Sequence, residues 1–176
     1  MFFNNITTGH VRFFNLTSLK DNHVYLLTGS LLLALYFIQL NMNWRWVWLD
    51  NLQADEVYQQ VTGFILLAYV ILQGRLGYQR LRYPTKPFAP LLKNHKLHGV
   101  FGPLLFYVHS MDIGFAYQVV LTFVFLGNSL VGYLSPQALK VRRQWYVLSW
   151  TILHVSLALL TLALMFFHIY VVYYYS

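Results

Sequence analysis

Two pairs of histidines share one spacing: His95 with His109, and His154 with His168, each 14 residues apart in an apolar stretch. At ~1.5 Å rise and ~100° per residue, that interval is about 21 Å along a helix and close to a whole number of turns. Each pair therefore lies along one stripe of its helix, with one imidazole toward each side of a bilayer. Imidazole nitrogen is a strong iron ligand. Two such helices facing each other would hold two haems, one above the other, and carry electrons across a membrane. Zinc is disfavoured, because ligands about 21 Å apart on one helix cannot converge on one ion. The plain alternative is four histidines that only hydrogen-bond between helices. The repeated spacing argues against it, as does the cost of an unliganded imidazole in lipid.

The elements that must position these residues are membrane helices. The chain has 176 residues, 58% hydrophobic and 19% aromatic but only 10% charged, and its mean hydropathy is +0.50. A soluble domain carries about 25% charged residues, so the class is an all-α integral membrane bundle. With no cysteine, disulfides, thiolate metal sites and a covalently attached haem are excluded, and any haem is b-type. Residues 1–22 read as an interfacial segment, with His10 and His23 as interfacial polar residues, and residues 23–176 as the transmembrane domain. A bilayer core takes about 20 apolar residues of helix. Five stretches qualify or nearly do: 24–40, 57–72, 94–110, 115–134 and 145–174.

Charge orients them. One loop holds Arg75, Arg80, Arg82, Lys86, Lys93 and Lys96, and another holds Lys140, Arg142 and Arg143. The opposite loops carry Asp50, Asp55, Glu56 and Asp112, with Arg45 their lone cation. By the positive-inside rule the N-terminus is expected in the cytoplasm and the C-terminus outside, as in a bacterial inner membrane. Trp44, Trp46, Trp48, Tyr170 and Tyr173–Tyr175 are expected in an outer aromatic belt. The third and fifth spans then run in the same sense. His95 is expected opposite His154 on the cytoplasmic side, and His109 opposite His168 outside.

Other residues have two readings each. His98 is near the stripe of His95 and His109, and either replaces His95 as inner ligand or flanks the cofactor. Gly99 and Gly102 either admit a flat macrocycle or pack helices tightly, and Pro103 removes a helix hydrogen bond and can kink its span. Gly63, Gly74, Gly127 and Gly132 read as packing glycines. Arg142 and Arg143 either clamp haem propionates or only set topology. The basic second loop suits an acidic redox partner or anionic lipid headgroups. Nucleic acid is not expected, since the charge is confined to one membrane side.

Three segments carry a resemblance: T-G-F-I-L-L-A-Y-V-I-L-Q-G-R, H-K-L-H-G-V-F-G-P-L-L-F-Y-V-H, and R-R-Q-W-Y-V-L-S-W-T-I-L-H with a second histidine 14 residues later. Residues 57–174 resemble the ferric reductase-like transmembrane domain superfamily, which includes ferric reductases, NADPH oxidases and the haem subunit of the bacterial methionine sulfoxide reductase system. The resemblance implies two stacked b haems between the third and fifth spans, on His95, His109, His154 and His168. The family's first ligand on that span is followed by a basic residue, here Lys96, which favours His95 over His98. The family usually has a sixth span, and many members carry a flavin- and nicotinamide-binding domain. Neither follows span five here, so the expected role is an oxidoreductase membrane component without its own NAD(P)H site. Its donor is then a separate cytoplasmic or membrane protein. Alternatives are a quinol-linked haem subunit of a periplasmic reductase, which makes quinone a candidate partner, and a non-catalytic subunit that folds around haem.

Overall fold

The computed structural model describes residues 17–175, with side chains from residue 22. Among these residues every regular element is an α-helix: α1 (Thr17–Met42), α2 (Val47–Gln53), α3 (Glu56–Arg82), α4 (Ala89–Gly99), α5 (Gly102–His109), α6 (Tyr117–Tyr133) and α7 (Gln144–Tyr175). His10 and most of the expected interfacial segment lie outside the described residues, and helix already begins at Thr17.

Three helices are long and apolar enough to cross a bilayer: α1 over Asn22–Met42, α3 and α7. They contain the expected stretches 24–40, 57–72 and 145–174. α6 is a shorter apolar helix of 17 residues. Asp55 caps α3, accepting from the Tyr58 N–H at 2.8 Å, and Pro84 stops it by forcing Tyr83 out of helical geometry. The loop between α1 and α3 contains a helix of its own, α2. Trp44, Trp46 and Trp48 around it are more than half exposed.

The stretch 94–110 is not one helix, as its hydropathy suggests, but two. The break falls at Val100–Phe101. Its cause is local: Pro103 has no N–H to give to the Gly99 carbonyl one turn back. That carbonyl is taken instead by the Tyr133 hydroxyl at 3.1 Å and the Tyr69 hydroxyl at 3.4 Å. Two tyrosines from neighbouring helices therefore satisfy the kink, which would otherwise leave a bare carbonyl in an apolar interior.

The core joins Leu33 and Tyr36 of α1, Leu66 of α3, Phe106 of α5, Phe125 and Leu126 of α6, and Met165 of α7. Phe106 and Phe125 stack with ring centres 5.4 Å apart. α6 packs closely on α7 and α1, and α3 packs on α4 and α5. Between the α4–α5 pair and α7 lie cavities rather than packed side chains.

Ties at the two ends of the bundle differ in kind. At one end Arg45 donates to Asp112 at 2.7 and 2.9 Å and to Asp50 at 2.9 Å. There the Gln53 amide also reaches the Tyr107 and Val108 carbonyls, at 2.8 and 3.0 Å. At the other end Lys96 of α4 donates to Asn22 of α1 at 2.8 Å.

Candidate functional site

The four spaced histidines come together as two pairs, each taking one residue from α4 or α5 and one from α7. His95 and His154 have ring centres 6.1 Å apart and planes crossing at 82°, and both line a cavity of about 300 Å³. His109 and His168 line a second cavity, of about 120 Å³. Phe125 lines both cavities and so stands between them.

Each ring has a seat on a helix other than its own. α3 seats the two histidines of α4 and α5. The His109 ring lies against Gly63, where an added Cβ would be 3.3 Å from the imidazole Cε1. Its Nδ1 is 2.9 Å from Thr62 Oγ1. Thr62 has one hydroxyl proton and donates it to the Tyr58 carbonyl at 2.7 Å. Toward His109 its oxygen is thus an acceptor, so Nδ1 carries the proton and the Nε2 lone pair is free for a metal. Eleven residues further along α3, Gln73 holds His95. Its backbone carbonyl is 3.2 Å from Nδ1. Its side-chain amide, with oxygen on the Gly99 N–H at 3.0 Å, packs against the same ring.

α6 seats the histidines of α7. A Cβ on Gly132 would be 3.2 Å from His154 Cε1. Trp150, one turn before His154, stacks on it at 5.2 Å and anchors itself by donating to the Val131 carbonyl at 2.6 Å. Among the described residues His154 Nδ1 is buried with no close hydrogen-bond partner. The Tyr117 hydroxyl lies 3.1 Å from His168 Nδ1.

This arrangement fits a bis-imidazole iron. With each metal–nitrogen bond roughly 2 Å, two imidazoles on one metal have ring centres roughly 6 Å apart, and the inner pair stands at 6.1 Å. Among the described residues no three His, Cys, Asp or Glu converge on a point where they could hold a bare ion. A haem asks for only two protein ligands, since the macrocycle supplies the other four.

The remaining sequence candidates separate. His98, Arg142 and Arg143 are exposed and do not line the inner cavity. Gly99 lines it, and a Cβ there would meet nothing within 4 Å. Gly102 is instead a packing glycine, with a Cβ position 2.9 Å from the Tyr69 hydroxyl oxygen. Gly63 and Gly132 do pack, as expected, but against the histidine rings. Thr62, Gln73, Tyr117 and Trp150 were not singled out from the sequence. Thr62–Gly63 stands at the head of the quoted span-two segment, a signal that could have drawn notice.

No protein-family model matches the chain, and neither a curated protein nor a solved structure matches it significantly.

Replacing Thr62 with valine keeps its shape and removes the acceptor on His109. For a metal-bearing cofactor held by His109, the expected result is a 10–100-fold weaker hold, with a group held by His95 and His154 unaffected. Cofactor retention during dilution in detergent measures it, and equal loss from both positions would contradict the assignment of Thr62 to His109.

Proposed function

We propose that the chain is a b-type dihaem cytochrome that carries electrons across a membrane. The donor is a separate protein on the cytoplasmic side and the acceptor meets the outer face. The observation that carries the reading is the pairing: His95 beside His154, and His109 with His168 on a second cavity one helix stripe away. A bound haem b supplies one-electron redox chemistry, tuned by axial ligands, burial and hydrogen bonds. The chain's own part is to hold four imidazoles in fixed orientation. Phe125 stands between the two positions.

The reading takes five crossings: the three long helices α1, α3 and α7, the α4–α5 pair, and α6. α4 and α5 together run from residue 89 to residue 109, roughly 30 Å of path, which matches a bilayer core. α6 is the remaining crossing. The outer pair borders a polar mouth of about 660 Å³ that includes Gln53, Glu56, Gln59 and Tyr173. A small acceptor would reach the outer position there.

The test is a reduced-minus-oxidised spectrum with a haem-to-protein ratio. Two non-covalent b haems per chain are expected, both extracted by acid acetone because there is no cysteine to bind them covalently. One haem in a fully loaded protein would break the pairing scheme, and none would end the proposal.

Topology is tested separately. A reporter fused after Ser176 should read as external, and one placed near Pro84 as cytoplasmic. The reverse result would invert the direction of the wire.

A further inference from the structure

We infer that Lys96 is the cation that receives a carboxylate of the cofactor in the inner cavity, a role that spacing offered to Arg142 and Arg143. The inference rests on the haem reading above. Lys96 follows His95 on α4 and lines the same cavity as His95 and His154. It is half-buried, and its ammonium donates to Asn22 Oδ1, a neutral amide, at 2.8 Å. Among the described residues the two ion pairs both belong to Arg45, and neither involves Lys96. The cavity lining contains no aspartate or glutamate.

An ammonium at the wall of a largely apolar cavity is stabilised when an anion enters that cavity. A b haem brings two carboxylates and needs cations for them. Arg142 and Arg143 are exposed and do not line this cavity. Lys96 sits where the cavity meets Asn22 and Tyr25 of α1. It can therefore take a carboxylate from a group whose iron lies between His95 and His154. An anionic lipid headgroup could present similar charge, and the experiment separates the two.

The readouts are the midpoint potentials of purified holoprotein and the preference of apoprotein for haem b over its dimethyl ester. The second is measured in a His168→Ala background, which keeps the inner position alone. Lys96→Gln is expected to retain two haems and the low-spin spectrum. It should lower the inner midpoint by about 59 mV, a tenfold change in a one-electron equilibrium, and leave the outer midpoint unmoved. Lys96→Arg should restore the inner midpoint. The parent should bind haem b about tenfold tighter than the ester, and Lys96→Gln should lose that preference. Arg142→Gln and Arg143→Gln should keep it.

An unchanged inner midpoint with an intact preference would overturn the inference. So would a Lys96→Gln protein that keeps the preference but loses co-purifying anionic phospholipid, which would assign the lysine to a headgroup. Should Lys96→Gln not accumulate, the parent and the two arginine variants still decide. An ester bound as tightly as haem b, or a preference lost with either arginine, overturns it. A parent that binds no haem at all defeats the haem reading first, and is recognised by its spectrum.

Discussion

His109→Ala and His168→Ala are expected to remove the same haem, the outer one, and His95→Ala and His154→Ala the other. Each variant should fall from two haems per chain to one. In a redox titration the two outer variants should lack one component and the two inner variants the other. The reason is the shared cavity of each pair, with His95 and His154 at 6.1 Å and His109 and His168 on one wall-to-wall space. Removing one imidazole opens an iron position and strands its partner in an apolar interior, at roughly 1–3 kcal/mol for an unsatisfied polar group. His98→Ala, by contrast, should keep both haems, because that side chain is turned away from the cavity. Loss of one component by both His95→Ala and His168→Ala would mean that the two helices run in opposite senses. Loss of the inner haem by His98→Ala with His95→Ala intact would shift the ligand by one turn.

The second large effect comes from two glycines. Gly132→Leu should eject the inner haem and spare the outer, and Gly63→Leu should do the reverse. At both positions the Cβ alone already reaches the imidazole Cε1, at 3.2 Å from His154 and 3.3 Å from His109. A branched side chain has to displace the ring, and a ring moved by even 1 Å no longer points its Nε2 at the iron position. Gly127 is the control on the same helix as Gly132. A Cβ there meets nothing within 4 Å, so Gly127→Ala should keep both haems. It should also gain about 0.5–1 kcal/mol of helix stability. Haem content per chain measures all three. If Gly132→Leu keeps a full complement, the ring of His154 is not held by α6.

The residue list and its order carry the expectations of class and axis for this protein. A chain with 58% hydrophobic residues and no cysteine has few options beyond membrane helices. Equal intervals define a stripe where the helix is continuous, as for His154 and His168 on α7, because a helix repeats every 3.6 residues; between His95 and His109 the break at Val100–Phe101 intervenes. The pairing expectation also needs only local information: basic loops alternate with acidic ones, and that sets the sense of each helix. These are near-neighbour properties, carried by composition and period.

What seats the rings is decided between helices, and no period encodes it. Thr62 and Gly63 meet His109 across a separation in sequence of more than forty residues, and Gly132 meets His154 from a different helix. Glycine in a membrane helix reads the same whether it lies against lipid, a neighbouring backbone or a ring. His95 and His98 are likewise close on one stripe; the rotation of α4 about its own axis turns one inward and the other out. Just past both residues the helix breaks at Val100–Phe101, where Pro103 frees the Gly99 carbonyl and the hydroxyls of Tyr133 and Tyr69 capture it. Proline announces the break in the sequence. The orientation after it depends on where those two hydroxyls stand, and only the packed bundle determines that.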